Sequence, residues 1–210
     1  MRAVARSIRP DPEDPVIISC DVARFGSDRT VAYRRRGHRC RKLWDVQGHD
    51  TQQIAGKLIL LAEAEGTCKS HRGELVEPNV RPQPDCDKCL PDLQVEIIVD
   101  ETGVGAGVVD RLNEENIRDG NCSVSGFNGG ENADADDRYV NAIAEAWLEL
   151  AKAFKNDMVD LDDNPALISQ LSSRRYKIQG DRRLALESKA DYKKRIHRSP
   201  DDADALAMAY

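Results

Sequence analysis

The sequence lacks any apolar run approaching the roughly eighteen residues that a membrane-spanning helix needs. Its first stretch, MRAVARSIRPDPEDP, has no apolar core region and does not read as a secretory signal. A linker or tail is expected over 1–15, and a cytosolic, cytoplasmic protein overall. No internal repeat is visible. A basic excess is missing too: the net charge is −6, which counts mildly against a nucleic-acid binder. Without a secretory signal, six cysteines do not read as a disulfide framework.

What is present fits a soluble chain of 210 residues, 32% of them charged. That length suits one α/β or α+β domain, over 16–210, with room for an insertion. The basic residues gather in three runs: RRRGHRCRK (Arg34, Arg35, Arg36), RRYK (Arg174, Arg175) and KADYKKRIHR (Lys193, Lys194, Arg195). Such runs are solvated faces or, taken together, a groove that binds a phosphate backbone.

Cys20, Cys40 and Cys122 sit in strand-like stretches and read as buried small hydrophobes. Cys68 and His71 form a C-x2-H pair, and Cys86 and Cys89 a C-x2-C pair. Two such pairs match a tetrahedral structural Zn²⁺ site, which would staple the Pro-rich insertion at 67–92. The alternative is a loop with incidental thiols.

Periodicity predicts strands over VIISCD (16–21), 30–36, RKLWDV (41–46), VEIIVD (95–100) and 122–127, with a hairpin at 176–178 and 183–186. Helices are predicted from Asp50 or Thr51 to Gly66, after Gly103, over 136–156, 164–174 and 189–196, and from Pro200. The 136–156 stripe is Val140, Ile143, Ala144, Trp147, Leu148, Ala151 and Phe154. Hairpin strands followed by βαβ units imply a mixed sheet with helices on its faces.

Two of the apolar strands end in aspartate, at Asp21 and Asp100. If the strands are parallel neighbours, both carboxylates emerge on one sheet edge, where open α/β sheets bind ligands. The stretch SPDDADAL reads as a helix start, with Ser199 as N-cap and Pro200 at the first position. Asp201 and Asp204 are three apart and share a face, whereas Asp202 points elsewhere and reads as a dipole-favoured first-turn acid. Carboxylates converging without His or Cys form an oxygen-only site suited to one or two Mg²⁺ or Mn²⁺ ions, and paired ions hydrolyse phosphodiesters. The bland alternative is a capped, solvated helix end beside two strand-terminal aspartates.

Three segments, ISCDVARFGSDRTVAY, IIVDETGVGAGVVDRL and KADYKKRIHRSPDDADALAMAY, resemble in that order the nuclease domain of phage terminase large subunits. The resemblance implies a ribonuclease H-like fold and cutting of concatemeric double-stranded DNA during genome packaging, leaving a 5′-phosphate and a 3′-hydroxyl. It carries the metal ligands onto Asp21, Asp100 and Asp204, with Asp201 as an accessory carboxylate. It gives Lys189 a role at the phosphate or the water, and Asp28 one in shaping a turn. Its partners would be a packaging ATPase domain, a small terminase subunit and the portal. The chain has no G-x-x-x-x-G-K-[ST] loop, so a lone nuclease domain is expected, a fragment or a separately encoded piece.

Three rivals stand beside it. One is another ribonuclease H-like nuclease of the Holliday-junction resolvase or transposase type. A second is a non-enzymatic, zinc-stapled interaction module. The third is a nucleotide-binding protein built on Gly103, Gly105 and Gly107, whose G-x-G-x-G spacing departs from a dinucleotide fingerprint and follows two acidic residues that would repel a pyrophosphate.

Overall fold

The apolar run VIISCD has nowhere to go but a sheet interior, and it forms the central strand. The computed structural model describes residues 10–23, 28–67, 89–115 and 117–210. Within these, β1 (Val16–Asp21), β2 (Thr30–Arg36), β3 (Arg39–Val46), β4 (Val95–Asp100) and β5 (Cys122–Phe127) form one sheet in the order β3-β2-β1-β4-β5. The hairpin strands β1, β2 and β3 pair antiparallel. β4 lies parallel to β1 and β5 parallel to β4. The sheet is therefore mixed, with its parallel half reached through helical crossovers, since no tight hairpin can join parallel strands.

Helices cover both faces. On one, α1 (Thr51–Ala64) and α2 (Gly105–Asn113) bury Ile54, Leu58, Val108 and Leu112 against Ile18, Ile97 and Val99. Asp50 caps α1 through a capping box with Gln53. On the other face, α3 (Ala142–Lys155), α4 (Pro165–Ser173) and α6 (Asp201–Ala207) enclose Val31, Tyr33, Leu150, Leu167 and Leu206. The small residues Ala203, Ala205 and Ala207 let α6 lie close on β1 and β2. There the Ser19 hydroxyl donates to the Ala205 carbonyl at 2.5 Å. The remaining elements are the β6 (Tyr176–Ile178) and β7 (Leu184–Leu186) hairpin and α5 (Lys189–Ile196).

Several expected boundaries move. The helix expected over 136–156 begins at Ala142, because the Asn141 side chain accepts from Ala144 N–H and caps it there. The residues before it serve the hairpin instead: Val140 N–H donates to the Leu184 carbonyl. Ala151 is exposed, and Ala146 and Leu150 take its place on the buried stripe. β3 starts two residues before the expected Arg41, and β7 one residue after Arg183. Cys20 and Cys40 are buried as small hydrophobes, but Cys122 is only half-buried on the edge strand.

Cys68, His71 and Cys86 of the expected zinc set lie outside the described residues, as does most of 67–92; Cys89 is described and buried. The flanks of that segment meet, for Leu90 N–H donates to the Gly66 carbonyl at 2.9 Å. Gly66 has a positive φ of 79°, and a side chain there would collide with the Leu90 carbonyl.

Candidate metal centre

The parallel pairing of β1 and β4 matches Cys20 with Val99, so the next residues, Asp21 and Asp100, leave the sheet at the same edge. α6 runs past that edge and adds Asp201 and Asp204. Asp21, Asp201, Asp202 and Asp204 are all buried. Four buried carboxylates need cationic or hydrogen-bonded partners, and the structure supplies them unequally.

Three of the four face one ammonium. Lys189 Nζ, at the start of α5, lies 2.9 Å from Asp21 Oδ2, 3.2 Å from Asp201 Oδ1 and 3.5 Å from Asp204 Oδ2. Burial pushes the Asp21 carboxyl up to about 8 against the pull of Lys189, with Asp204 and Asp201 adding to the rise. For Lys189 the balance runs the other way. Burial disfavours its charge, but Asp21, Asp204 and Asp201 outweigh it and hold the ammonium well above its ordinary range. Asp201 also accepts from the Ser199 hydroxyl and, through Oδ2, from Arg29 N–H at 3.2 Å.

Asp100 stands beside this group on a cleft of about 230 Å³ that also exposes Lys189 and Asp204. Its Oδ1 accepts from Thr102 N–H at 2.9 Å, which fixes the carboxylate at the start of the loop into α2. Gly105 lets that helix approach: a side chain there would strike the Asp100 carbonyl. Of the three glycines here, Gly105 serves close packing and Gly103 a positive φ of 79°. The far wall of the cleft is apolar, from Phe127, Ile143, Leu186 and Met208.

Asp202 turns away, as its position on the helix requires, but it does not cap. α6 begins at Asp201 with Pro200 before it and no side-chain cap, so Ser199 lacks the N-cap role expected of it, while Asp202 does lie in the first turn as expected of an acid there. Ser199 is drawn to the Asp201 carboxylate instead. Asp202 accepts from the Tyr33 hydroxyl at 3.1 Å and Gln170 Nε2 at 3.3 Å and pairs with Lys42 at 2.7 Å.

The basic residues separate into two groups. Arg174 is buried rather than displayed: it pairs with Asp204 at 3.2 Å, and its Nε–H donates to the Glu187 carbonyl. Arg195 is committed to Glu187 and to the Ser173 carbonyl. Arg34, Arg35 and Arg36 pair along β2 with Ile18, Ile17 and Val16, away from the Asp21 end of β1. There Arg34 grips Glu65, Arg35 stacks on Tyr210 and Arg36 donates to the Pro12 and Asp14 carbonyls. Lys193 pairs with Asp28 at 2.6 Å. Arg175 and Lys194 are exposed.

Among the described residues, no three His, Cys, Asp or Glu side chains surround a common point as a finished metal shell. The donor set nevertheless fits a hard divalent cation in charge and chemistry: all oxygen, strongly anionic, and already gathered around one positive charge. That charge is the Lys189 ammonium.

No protein-family model matches the chain, and no curated protein does. Solved structures do. The nuclease domain of the large terminase subunit gp2 of bacterial virus Sf6 superposes with a TM-score of 0.70 at 19% identity, covering 94% of this chain and 88% of that one. The chain has the fold of a phage terminase nuclease domain. The large terminase nuclease from thermophilic phage G20c, with bound magnesium, follows the same course at a TM-score of 0.58 and 14% identity, covering 96% of this chain and 82% of that one. The nuclease domain of the Thermus phage P74-26 large terminase matches at a TM-score of 0.55. The five-stranded mixed sheet with helices on both faces agrees with the expected fold class. Sequence reasoning had placed Arg174 on the surface and Trp147 in an apolar stripe. Both touch Asp204, through contacts that no local pattern signals.

Proposed function

We propose that this chain is a divalent-metal-dependent DNA endonuclease, the nuclease domain of a phage terminase large subunit, cutting concatemeric double-stranded DNA during packaging. The observation that carries the reading is the gathering of Asp21, Asp201 and Asp204 around one ammonium at the sheet edge that Asp100 shares. The magnesium-bound G20c nuclease and the manganese-bound gp2 nuclease domain share this fold, which supports the metal.

Asp21, Asp100 and Asp204, with Asp201 alongside, would hold one or two Mg²⁺ or Mn²⁺ ions. Ions held by such carboxylates ease formation of the attacking hydroxide and stabilise charge on the leaving oxygen. The chain's own part is positioning. β1 and β4 present Asp21 and Asp100 on rigid strand ends, and Ser19 ties α6 to β1 so that Asp201 and Asp204 keep their place. Lys189 compensates the carboxylates before the site is loaded. Lys189 also lines the cleft, and released from the carboxylates its ammonium would be free to meet a phosphate oxygen.

Arg175 and Lys194 would meet the DNA backbone. Asp201 also borders a groove of about 540 Å³ in which Arg29 and Lys193 are paired with Asp45 and Asp28, leaving Arg198 there as a cation that would extend that contact. Contacts of this kind are salt-sensitive and indifferent to sequence. The packaging ATPase domain, small terminase subunit and portal would be its partners, in the host cytoplasm. Among the described residues no helix is long and apolar enough to cross a membrane.

The test is cleavage of supercoiled plasmid in Mg²⁺, Mn²⁺ or EDTA, beside Asp100→Asn. Metal-dependent nicking and linearisation, lost in the variant, is the expected result. A folded protein that leaves the plasmid intact in Mn²⁺ would refute the reading.

A further inference from the structure

Besides Lys189, two residues hold Asp204: Trp147 and Arg174. The Trp147 indole N–H donates to its Oδ1 at 2.8 Å, and Arg174 NH1 reaches the same oxygen at 3.2 Å. Oδ2 is left on the side of Lys189. Arg174 is itself fixed. Its side chain is only 3% exposed, and its guanidinium lies 5.0 Å from the Trp147 ring centre and 5.3 Å from that of Tyr192. Its Nε–H donates to the Glu187 carbonyl at 2.9 Å. Trp147 is 6% exposed and packs with the Leu206 cluster under α6.

Neutralising Asp204 does not by itself require this arrangement, since Lys189 is already near. Two donors on one carboxylate oxygen do something further: they set the plane of the carboxylate and take one of its oxygens out of use. The stacked guanidinium and the buried indole have little freedom to yield.

We infer that Trp147 and Arg174 are the positioning residues of Asp204, turning it into a one-oxygen ligand that offers Oδ2 alone. The inference rests on the metal-binding role proposed for Asp204. It also makes the Trp147 indole N–H a reporter of the site, because the bond it makes ends on the oxygen next to the one that meets the ion. Only two tryptophans occur in the chain. The other, Trp44, lies on β3 and stacks with Lys57 of α1.

The test uses the whole chain and Mg²⁺ or Mn²⁺ alone, without DNA. Trp147→Phe keeps the ring and removes the donor. Its Mn²⁺ affinity by calorimetry is expected to fall about tenfold, the usual scale for losing a partner behind a metal ligand, with the thermal midpoint of the metal-free protein recorded alongside. In ¹⁵N spectra, Trp44→Phe assigns the two indole signals. Mg²⁺ is expected to move the Trp147 signal and leave that of Trp44 in place. Wild-type Mn²⁺ affinity in a folded Trp147→Phe protein would overturn the inference. So would a Trp147 signal unmoved by saturating Mg²⁺, a readout that stands even if the variant fails to fold. Wild-type protein that takes up neither ion would overturn the metal role of the carboxylates, and the inference with it.

Discussion

Lys189 Nζ lies 2.9 Å from Asp21 Oδ2 and reaches Asp201 and Asp204 from the same point. On the proposed function, a divalent cation at these carboxylates would compete with the lysine. Removing the ammonium leaves Asp21 and Asp201 without their ion pair, whereas Asp204 keeps Arg174, so Lys189→Ala should lower the thermal midpoint of the metal-free protein. The same change should tighten Mn²⁺ binding, by about tenfold if the competition is worth about 1.4 kcal/mol. Plasmid cleavage should fall if the ammonium also serves the phosphate. Calorimetry decides: weaker Mn²⁺ binding in Lys189→Ala would mean that the lysine supports the site and does not compete for it.

The same cluster makes stability depend on pH. The Asp21 carboxyl is pushed up to about 8 in the folded, metal-free protein, against about 3.9 when unfolded. Between those values the folded state holds a proton that the unfolded state has released. The contribution is complete below about pH 4 and is lost as pH rises through 8. In EDTA, stability should thus decline by about 2–3 kcal/mol between pH 6 and pH 8.5, and Asp21→Asn should flatten that slope. Denaturant titrations at a series of pH values would show it. A wild-type slope unaltered by Asp21→Asn would assign the effect to another group.

Much of this was legible in the sequence because it is local. VIISCD and VEIIVD are apolar runs closed by aspartate, and they become the paired central strands β1 and β4. The i, i+3 spacing of Asp201 and Asp204 brings both to Lys189. What stayed hidden depends on partners far along the chain. Lys189 meets Asp21 across 168 residues and Trp147 meets Asp204 across 57. Arg174 sits in an exposed-looking basic run, and distant partners take it inside: the rings of Trp147 and Tyr192 and the Asp204 carboxylate. The 136–156 pattern is helical by period, yet the hydrogen bond from Val140 to Leu184 keeps its first turns out of the helix.

Asp202 and Asp204 are neighbours with opposite duties. Asp202 answers Lys42, Tyr33 and Gln170 inside the α4–α6 layer and does not reach the Lys189 cleft. Asp202→Ala leaves Lys42 and the Tyr33 hydroxyl without that partner and should cost about 3 kcal/mol of stability. Its Mn²⁺ affinity, measured where the protein remains folded, should stay near wild type. Asp204→Asn should do the reverse, keeping the hydrogen bond from Trp147 through its remaining oxygen while losing metal affinity. Chemical denaturation and calorimetry on the two variants separate the roles. Equal losses of Mn²⁺ binding would show that Asp202 also belongs to the site.

Gly105 carries the last prediction. It is the point where α2 comes closest to the end of β4, and a side chain there would collide with the carbonyl of Asp100. Gly105→Ala must therefore push the helix from the strand or shift Asp100. The first outcome opens the packing of Val108 on Ile97 and Val99, the second displaces a carboxylate from the cleft. Overpacking of this sort costs about 1–3 kcal/mol, which the domain should survive. Cleavage is expected to fall much further than that loss of stability explains, because an ångström of misplacement at a reacting centre costs on the order of a hundredfold in rate. Gly107→Ala is the control, since a methyl there meets only the Thr51 side chain at ordinary contact distance, 3.6 Å. If both alanine variants cut DNA at wild-type rates, the close approach of α2 has no bearing on where Asp100 sits.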